Sequence, residues 1–374
     1  MIVLPLREAV RSGAAGAVAL TVAEFGRRSA MGDRLVVVGG TERGDYPMPY
    51  RRIEDRGWWR GLPGSALSRP SYRFGDAAAR LAREQRAGLV EVHNSARLFW
   101  RVAGRLPADC PVCFQLHNDP HDMTGLRTAP ERAAVLGRAS LVYCLSDYIR
   151  VRFLEGLADP GDRVVTLANG VDVSAAPSSD ADREPTILFV GRLNAEKGLD
   201  LLIDALRRLA LELPTWRVAL IGRLHERDRA RYGEALKELE AAWGGRLSLR
   251  SGVPHEQVMQ EFAGAAITLV PSIWPEPFGR VALEAMAAGS AVIASRSGGL
   301  PEIVGDAGVL LEHMTADTLS AAILSLASDP HRCAALGRAA RARAEACFDI
   351  GLLSRRLDLY RTGLLTGGHA ATVP

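Results

Sequence analysis

Arg192 and Lys197 lie five residues apart in GRLNAEKGLD, and Glu276 and Glu284 lie eight apart in EPFGRVALEAMAAG. Of the 46 Lys and Arg residues in the chain, only Lys197 and Lys237 are lysines. In so Arg-rich a chain, an ammonium at 197 suggests a compact point charge reaching where a guanidinium fork does not fit. Arg192 can take two oxygens of a phosphate at once, and Lys197 can supply the remaining charge, a combination suited to a diphosphate. A carboxylate at 276, in the proline-rich loop PSIWPEPFG, can accept hydrogen bonds from sugar hydroxyls. One at 284, just inside a helix, can chelate a vicinal diol.

These groups need elements that bring them together. Gly191 and Arg192 follow the apolar run ILFV, and Gly198 opens a helical pattern, so both cations sit at a strand end beside a helix N-terminus. Glu276 precedes a helix starting near Gly279, whose first amides, with Pro277 and Phe278 leading in, stay free for phosphate oxygens. Apolar runs alternate with helical patterns along the whole chain, as in parallel sheets flanked by helices. Strands are expected at Ile2–Leu6, Arg34–Val38, Leu89–His93, Val112–His117, Leu141–Leu145 and Arg163–Leu167. A helix in GDAAARLAREQRAG should end at Gly88 as its C-cap.

The polar stretch NGVDVSAAPSSDADREP reads as a linker, 171–185, between a first domain, 1–170, and a second, 186–350. The second alternation has strands at Thr186–Val190, Trp216–Ile221, Leu247–Ser251, Ile267–Val270, Ala291–Ala294 and Val309–Leu311, and the chain ends in helices, the last at Gly351–Leu365. The fold class is α/β, two doubly wound Rossmann-like domains, with ligand held beyond the carboxyl ends of the strands.

Composition narrows the classes. At 374 residues the chain exceeds a single core. A net charge of +3 demands no nucleic-acid partner, although residues 1–172 hold 24 Arg against 19 acids, an excess of +5. No apolar run is long enough to span a membrane, and the start MIVLPLREAVRSG lacks a signal-peptide core. The five cysteines include a lone Cys110-Pro-Val-Cys113 with no second pair to complete a zinc site, and read as reduced thiols of a cytoplasmic protein. RRIEDRGWWRGLPGSALSRPSYRF, from Arg51, mixes Arg with Trp and Tyr in an irregular segment, which suits an anionic membrane surface or a lipid-linked ligand, or equally a long loop of ordinary character.

FVGRLNAEKGLDLLIDAL, EPFGRVALEAMAAGSAVIAS, SGGLPEIV and NGVD together resemble the retaining glycosyltransferases of family 4, built on the GT-B fold. The resemblance covers nearly all of the second domain. It implies two Rossmann-like domains facing across a cleft, with the last helix, about 351–365, crossing back to the first. Arg192 and Lys197 would bind the donor diphosphate, Glu284 the ribose and Glu276 the transferred sugar. His117, ending VCFQL, would stand near the anomeric carbon as a catalytic group. His93 and Asn118 become acceptor-side candidates, and Arg223 and Val253 would border the base. The family's first-domain glycine loop corresponds to Ser12-Gly13-Ala14-Ala15-Gly16, where Gly13 keeps its freedom but Ala14 adds a Cβ.

The implied activity is metal-independent transfer, without cofactor, from a nucleotide-diphosphate-sugar, first of all a UDP- or GDP-sugar. The product is an α-linkage to a saccharide or lipid-linked saccharide, as in cell-surface polysaccharide or lipopolysaccharide synthesis. The protein would be cytoplasmic, with peripheral contact to the membrane. A nucleotide-sugar epimerase, a sugar phosphorylase or an inactive binding relative are the alternatives.

Overall fold

The computed structural model describes residues 1–6, 8, 16–41, 46–53, 70–158, 161–177 and 183–367. Its contacts divide the chain into two units: residues 1–170 with 350 onward, and residues 171–349.

In the first unit seven parallel strands take the order β3-β2-β1-β4-β5-β6-β7. They are β1 (Ile2–Val3), β2 (Val37–Gly39), β3 (Tyr50–Arg52), β4 (Val90–His93), β5 (Val112–Leu116), β6 (Leu141–Cys144) and β7 (Val164–Thr166). Helices α1 (Ala17–Arg28), α2 (Pro70–Glu84), α3 (Ala96–Ala103), α4 (Ala129–Arg138) and α5 (Asp147–Leu154) connect them. The central strands are buried throughout and mostly apolar, as parallel strands covered on both faces are, with Glu91, His93 and Gln115 as buried polar exceptions.

Several boundaries differ from the expectation. β1 stops at Val3, ahead of Pro5, which offers no N–H to a ladder. β2 starts only at Val37, because Gly32–Arg34 closes a 3₁₀ turn. β3 is an added edge strand in a stretch expected to be irregular; its two arginines are exposed, so no apolar alternation marks it. α2 ends before Gly88: Arg86 takes the left-handed turn (φ 50°) and the Ala87 amide reaches back to the Ala82 carbonyl.

The second unit is a six-stranded parallel sheet in the order β10-β9-β8-β11-β12-β13. Its strands are β8 (Glu184–Val190), β9 (Arg217–Ile221), β10 (Leu247–Arg250), β11 (Ala265–Val270), β12 (Ala291–Ser295) and β13 (Val309–Leu311). Its helices are α6 (Leu199–Leu209), α7 (Glu226–Ala242), α8 (His255–Gly264), α9 (Arg280–Ala287), α10 (Leu300–Val304), α11 (Ala316–Ala327) and α12 (Pro330–Phe348). Leu202 and Leu206 of α6, Phe189, Leu269 and Ile293 of the sheet, and Trp243 share one core.

β8 begins at Glu184, inside the segment expected to be linker. Arg183 just before it sends its guanidinium to the carbonyls of Phe262 (3.0 Å) and Ala288 (2.6 Å), which close α8 and α9.

The last helix, α13 (Ile350–Leu365), belongs to the first unit. Ile350, Leu353, Leu357 and Tyr360 bury against Phe25, Cys113, Tyr143 and Leu167. Arg361 makes a two-pronged pair with buried Glu91 of β4 (3.0 and 2.7 Å), and Asp358 accepts from the Ser29 hydroxyl and the Ala30 amide, both at 2.7 Å. All five cysteines are free thiols. No helix among the described residues is long and apolar enough to cross a membrane.

Candidate functional site

In the second unit strand order reverses between β8 and β11, which lie side by side in parallel register (Ile187↔Ile267, Phe189↔Leu269). The loops leaving Val190 and Val270 therefore start as neighbours at the carboxyl edge, the place where such sheets hold ligands. A cavity opens there, lined by Gly191, Lys197, Ser272, Glu276, Gly279 and Arg280 among others. Register, not sequence proximity, brings the 192–197 and 272–280 segments together.

The Lys197 loop is shaped by its own residues. Asn194 caps the turn, its side-chain oxygen accepting from the Lys197 amide at 3.2 Å. Gly198 then takes a left-handed conformation (φ 73°), and a Cβ there would stand 2.1 Å from the Pro271 carbonyl oxygen. The amides of Ile273 and Trp274 donate to the Glu196 carbonyl at 3.0 and 3.2 Å, stitching the two loops together. Lys197 Nζ pairs with Glu276 Oε1 and lies 5.8 Å from the centre of the Trp274 ring. The Ser272 hydroxyl donates to the same Glu276 oxygen. Arg192 is exposed and pairs with Glu196 at 3.1 Å; it is not among the residues that line this cavity, whereas Arg280 is.

Glu276 is held from behind. Gly298 of SGGLPEIV has φ 60°, and a Cβ on it would lie 2.2 Å from the Glu276 carbonyl oxygen and 2.5 Å from its nitrogen. The Gly299 amide donates to that carbonyl at 2.7 Å. Phe278 is buried edge-on against Phe348, and Gly279 (φ 110°) leads into α9. The free amides of that helix's first turn offer an anion site.

Glu284, on the second turn of α9, accepts from Arg280 Nε (2.7 Å) and His255 Nε2 (3.0 Å). Burial alone would raise its carboxyl, but the charge of Arg280 and the bond from His255 outweigh it and hold it below the ordinary value. Arg223 and Val253 follow β9 and β10, on the side of β8 away from β11; the Arg223 side chain is exposed, and its carbonyl accepts from the Leu193 amide at 3.0 Å. Ser272, His255, Arg280 and the Gly298-Gly299 pair are site-forming residues that the sequence reading did not single out. The doubled glycine after an apolar strand was the available signal.

The first unit gathers a different set. His93 ends β4 and His117 follows β5, adjacent parallel strands. His93 Nδ1 and His117 Nε2 are 3.1 Å apart, the rings stacked at 5.3 Å. His93 is only 3% exposed, its ring turned against His117. Burial, helped by the charge of Arg361, pulls His93 down to about 3; burial, with His93 beside it, takes His117 well below the ordinary value. Asn118 is exposed at the same strand end, while its neighbour Asp119 is buried and paired with Arg152 at 2.9 Å. Gly13 and most of the Arg- and Trp-rich stretch from Arg51 lie outside the described residues. Among the described residues no cluster of three or more His, Cys, Asp or Glu is gathered as for a metal ion.

Comparison with known proteins agrees with this architecture. The family described as Glycosyltransferase Family 4 matches residues 16–175, and Glycosyl transferases group 1 matches residues 173–343. Alpha-maltose-1-phosphate synthase of Mycolicibacterium smegmatis is 32% identical over 229 residues, 54% of this chain and 57% of the relative. The GDP-mannose-dependent alpha-(1-6)-phosphatidylinositol monomannoside mannosyltransferase of the same organism is 32% identical over 225 residues, again 54% and 57%. The chain thus spans about half the length of these curated relatives. Among solved structures, Anabaena Alr3699/HepE in complex with UDP and glucose superposes with a TM-score of 0.74 at 20% identity, over 96% of this chain and 98% of that one. Sucrose-phosphate synthase of Thermosynechococcus elongatus gives 0.76 at 19% identity, over 98% and 99%. With two doubly wound parallel sheets and both family matches in sequence, the chain belongs to glycosyltransferase family 4 and has the GT-B fold.

Proposed function

We propose that the protein is a retaining, metal-independent glycosyltransferase that moves a sugar from a UDP- or GDP-sugar to a saccharide or lipid-linked saccharide of the cell surface. The observation carrying this reading is the meeting of Lys197 and Glu276 at the β8/β11 strand ends, with Arg280 lining the same cavity and Glu284 on the second turn of α9. The diphosphate would take Lys197, Arg192 and the α9 amides; the ribose diol would take Glu284; the sugar hydroxyls would take Glu276. The names of similar proteins support a nucleotide-sugar donor: one is GDP-mannose-dependent, and one neighbour was solved with UDP and glucose.

In this mechanism bond cleavage leaves negative charge on the departing diphosphate, and fixed positive groups around it stabilise that charge as it develops. The acceptor hydroxyl enters on the face the diphosphate leaves, and the leaving phosphate oxygen takes its proton. No strong protein base is needed. Peripheral contact with an anionic membrane, cytoplasmic placement and the acceptor-side role of Asn118 belong to the same proposal.

The test is release of nucleoside diphosphate from UDP-glucose and GDP-mannose with and without EDTA, followed by proton NMR of the transferred anomeric centre. EDTA-insensitive transfer with retained α configuration supports the reading. Inverted product or strict metal dependence contradicts it. Glu276→Gln should lower turnover far more than diphosphate affinity.

A further inference from the structure

His117 is clamped twice by one dipeptide. Its backbone amide donates to the Asn94 side-chain oxygen at 3.1 Å, with Asn94 in a left-handed conformation (φ 51°), and its ring Nε2 meets His93 Nδ1 at 3.1 Å. Its other nitrogen, Nδ1, makes no hydrogen bond among the described residues. His93 Nε2 is buried and also lacks a hydrogen-bond partner there.

Only one proton can lie between the two rings, and two arrangements place it. In one, His93 carries its hydrogen on Nδ1 and donates to His117 Nε2, leaving a bare lone pair on the buried His93 Nε2. In the other, His117 Nε2–H donates, and His93 must carry its hydrogen on Nε2, burying an unpaired N–H. Genuinely orphaned buried N–H groups are rare in folded proteins, which weighs against the arrangement that buries one. The first arrangement wins.

We propose that His93 is a positioning residue that locks His117 as the Nδ1–H tautomer, so that His117 acts on the sugar nucleotide as a hydrogen-bond donor and not as a base. The inference rests on the reading of His117 as a group near the donor sugar. Both rings are neutral near pH 7, since burial opposes a second proton on either, helped by the charge of Arg361 at His93 and by His93 itself at His117. With Nε2 occupied by His93 and Nδ1 already protonated, His117 has no nitrogen left to accept the acceptor's proton. It can only present a fixed N–H dipole to a sugar hydroxyl or phosphate oxygen.

Two-bond ¹H–¹⁵N imidazole correlations at pH 7, assigned with His93 and His117 variants, test this without substrate. The expected spectrum shows His117 with Nδ1 protonated and Nε2 bare; Nε2 protonated would overturn the proposal. His93→Asn, whose amide N–H can replace the ring donor, should keep that tautomer. His93→Leu should release His117 into a tautomer mixture and cut diphosphate release from UDP-glucose or GDP-mannose at least tenfold, with little change in UDP or GDP affinity. If His117 keeps its tautomer in a folded His93→Leu protein, His93 does not position it. If the tautomer follows the prediction but His117→Ala leaves turnover intact, the placement of His117 at the donor sugar falls, and with it the proposed action of its N–H.

Discussion

Lys197 Nζ is ion-paired with Glu276 Oε1, 79 residues further along the chain, and the Ser272 hydroxyl donates to the same oxygen. Both side chains are largely buried, 19% and 11% exposed, so neither charge is left to water in the ligand-free state. In the proposed site the ammonium would turn to a phosphate and the carboxylate to hydroxyls, each being satisfied by the other until such a ligand arrives.

Lys197→Met therefore has two separable consequences. It leaves Glu276 with Ser272 as its remaining partner, so urea unfolding should show a clear loss of stability, and UDP or GDP affinity should fall more than tenfold. Adding Glu276→Gln should restore part of the stability, a coupling of about 1–3 kcal/mol, but none of the affinity. Additive stability losses would mean that the pair is not a coupled unit.

Gly298→Ala should be among the most damaging substitutions of a single methyl group. The left-handed φ of 60° and the close approach to the Glu276 backbone leave no room for a Cβ. A destabilisation of more than about 1 kcal/mol is expected, together with loss of turnover as Glu276 is displaced. A wild-type melting curve and unchanged turnover would show that the loop does not depend on this contact.

Glu284→Gln should weaken UDP or GDP binding about 10–100-fold, the effect of losing a charged hydrogen-bond acceptor. The penalty should vanish for the 2′,3′-dideoxy analogue, which has no diol to lose. An equal penalty for both nucleotides, read by calorimetry, would place Glu284 away from the ribose.

Acid should weaken the first unit through its paired histidines. Their folded values lie below the ordinary 6.5, so the unfolded chain binds more protons between that value and their folded ones, and stability rises with pH across that window. From pH 7 to pH 5 His93 should cost about 2 kcal/mol, and His117 should act in the same direction. His93→Asn should remove roughly one histidine's share of the slope in denaturant midpoints. An unchanged slope would mean that His93 titrates alike folded and unfolded.

Much of this was legible in the residues. Strand-end placement, the rarity of lysine and the resemblance to family 4 together marked Lys197, Arg192, Glu276 and Glu284 as one candidate site. Spacing could not show that Lys197 touches Glu276, because the contact comes from the lateral pairing of β8 with β11. Nor could it show His255 gripping Glu284, since α8 and α9 meet only after the sheet forms, whereas the Arg280 contact is an i,i+4 pair within α9 that spacing could have revealed. Spacing also could not show that the His93 ring is covered and faces another imidazole, because that follows from the pairing of β4 with β5. β3 escaped notice because a short edge strand with two exposed arginines carries no apolar signature.

Isothermal titration of UDP and GDP into the wild-type protein and Lys197→Met, each with and without EDTA, tests the central claim most directly. One diphosphate should bind the wild type with unit stoichiometry, untouched by EDTA, and bind the variant at least tenfold more weakly. Absence of binding to the wild type, or equal binding by the variant, would contradict a diphosphate site at the β8/β11 strand ends.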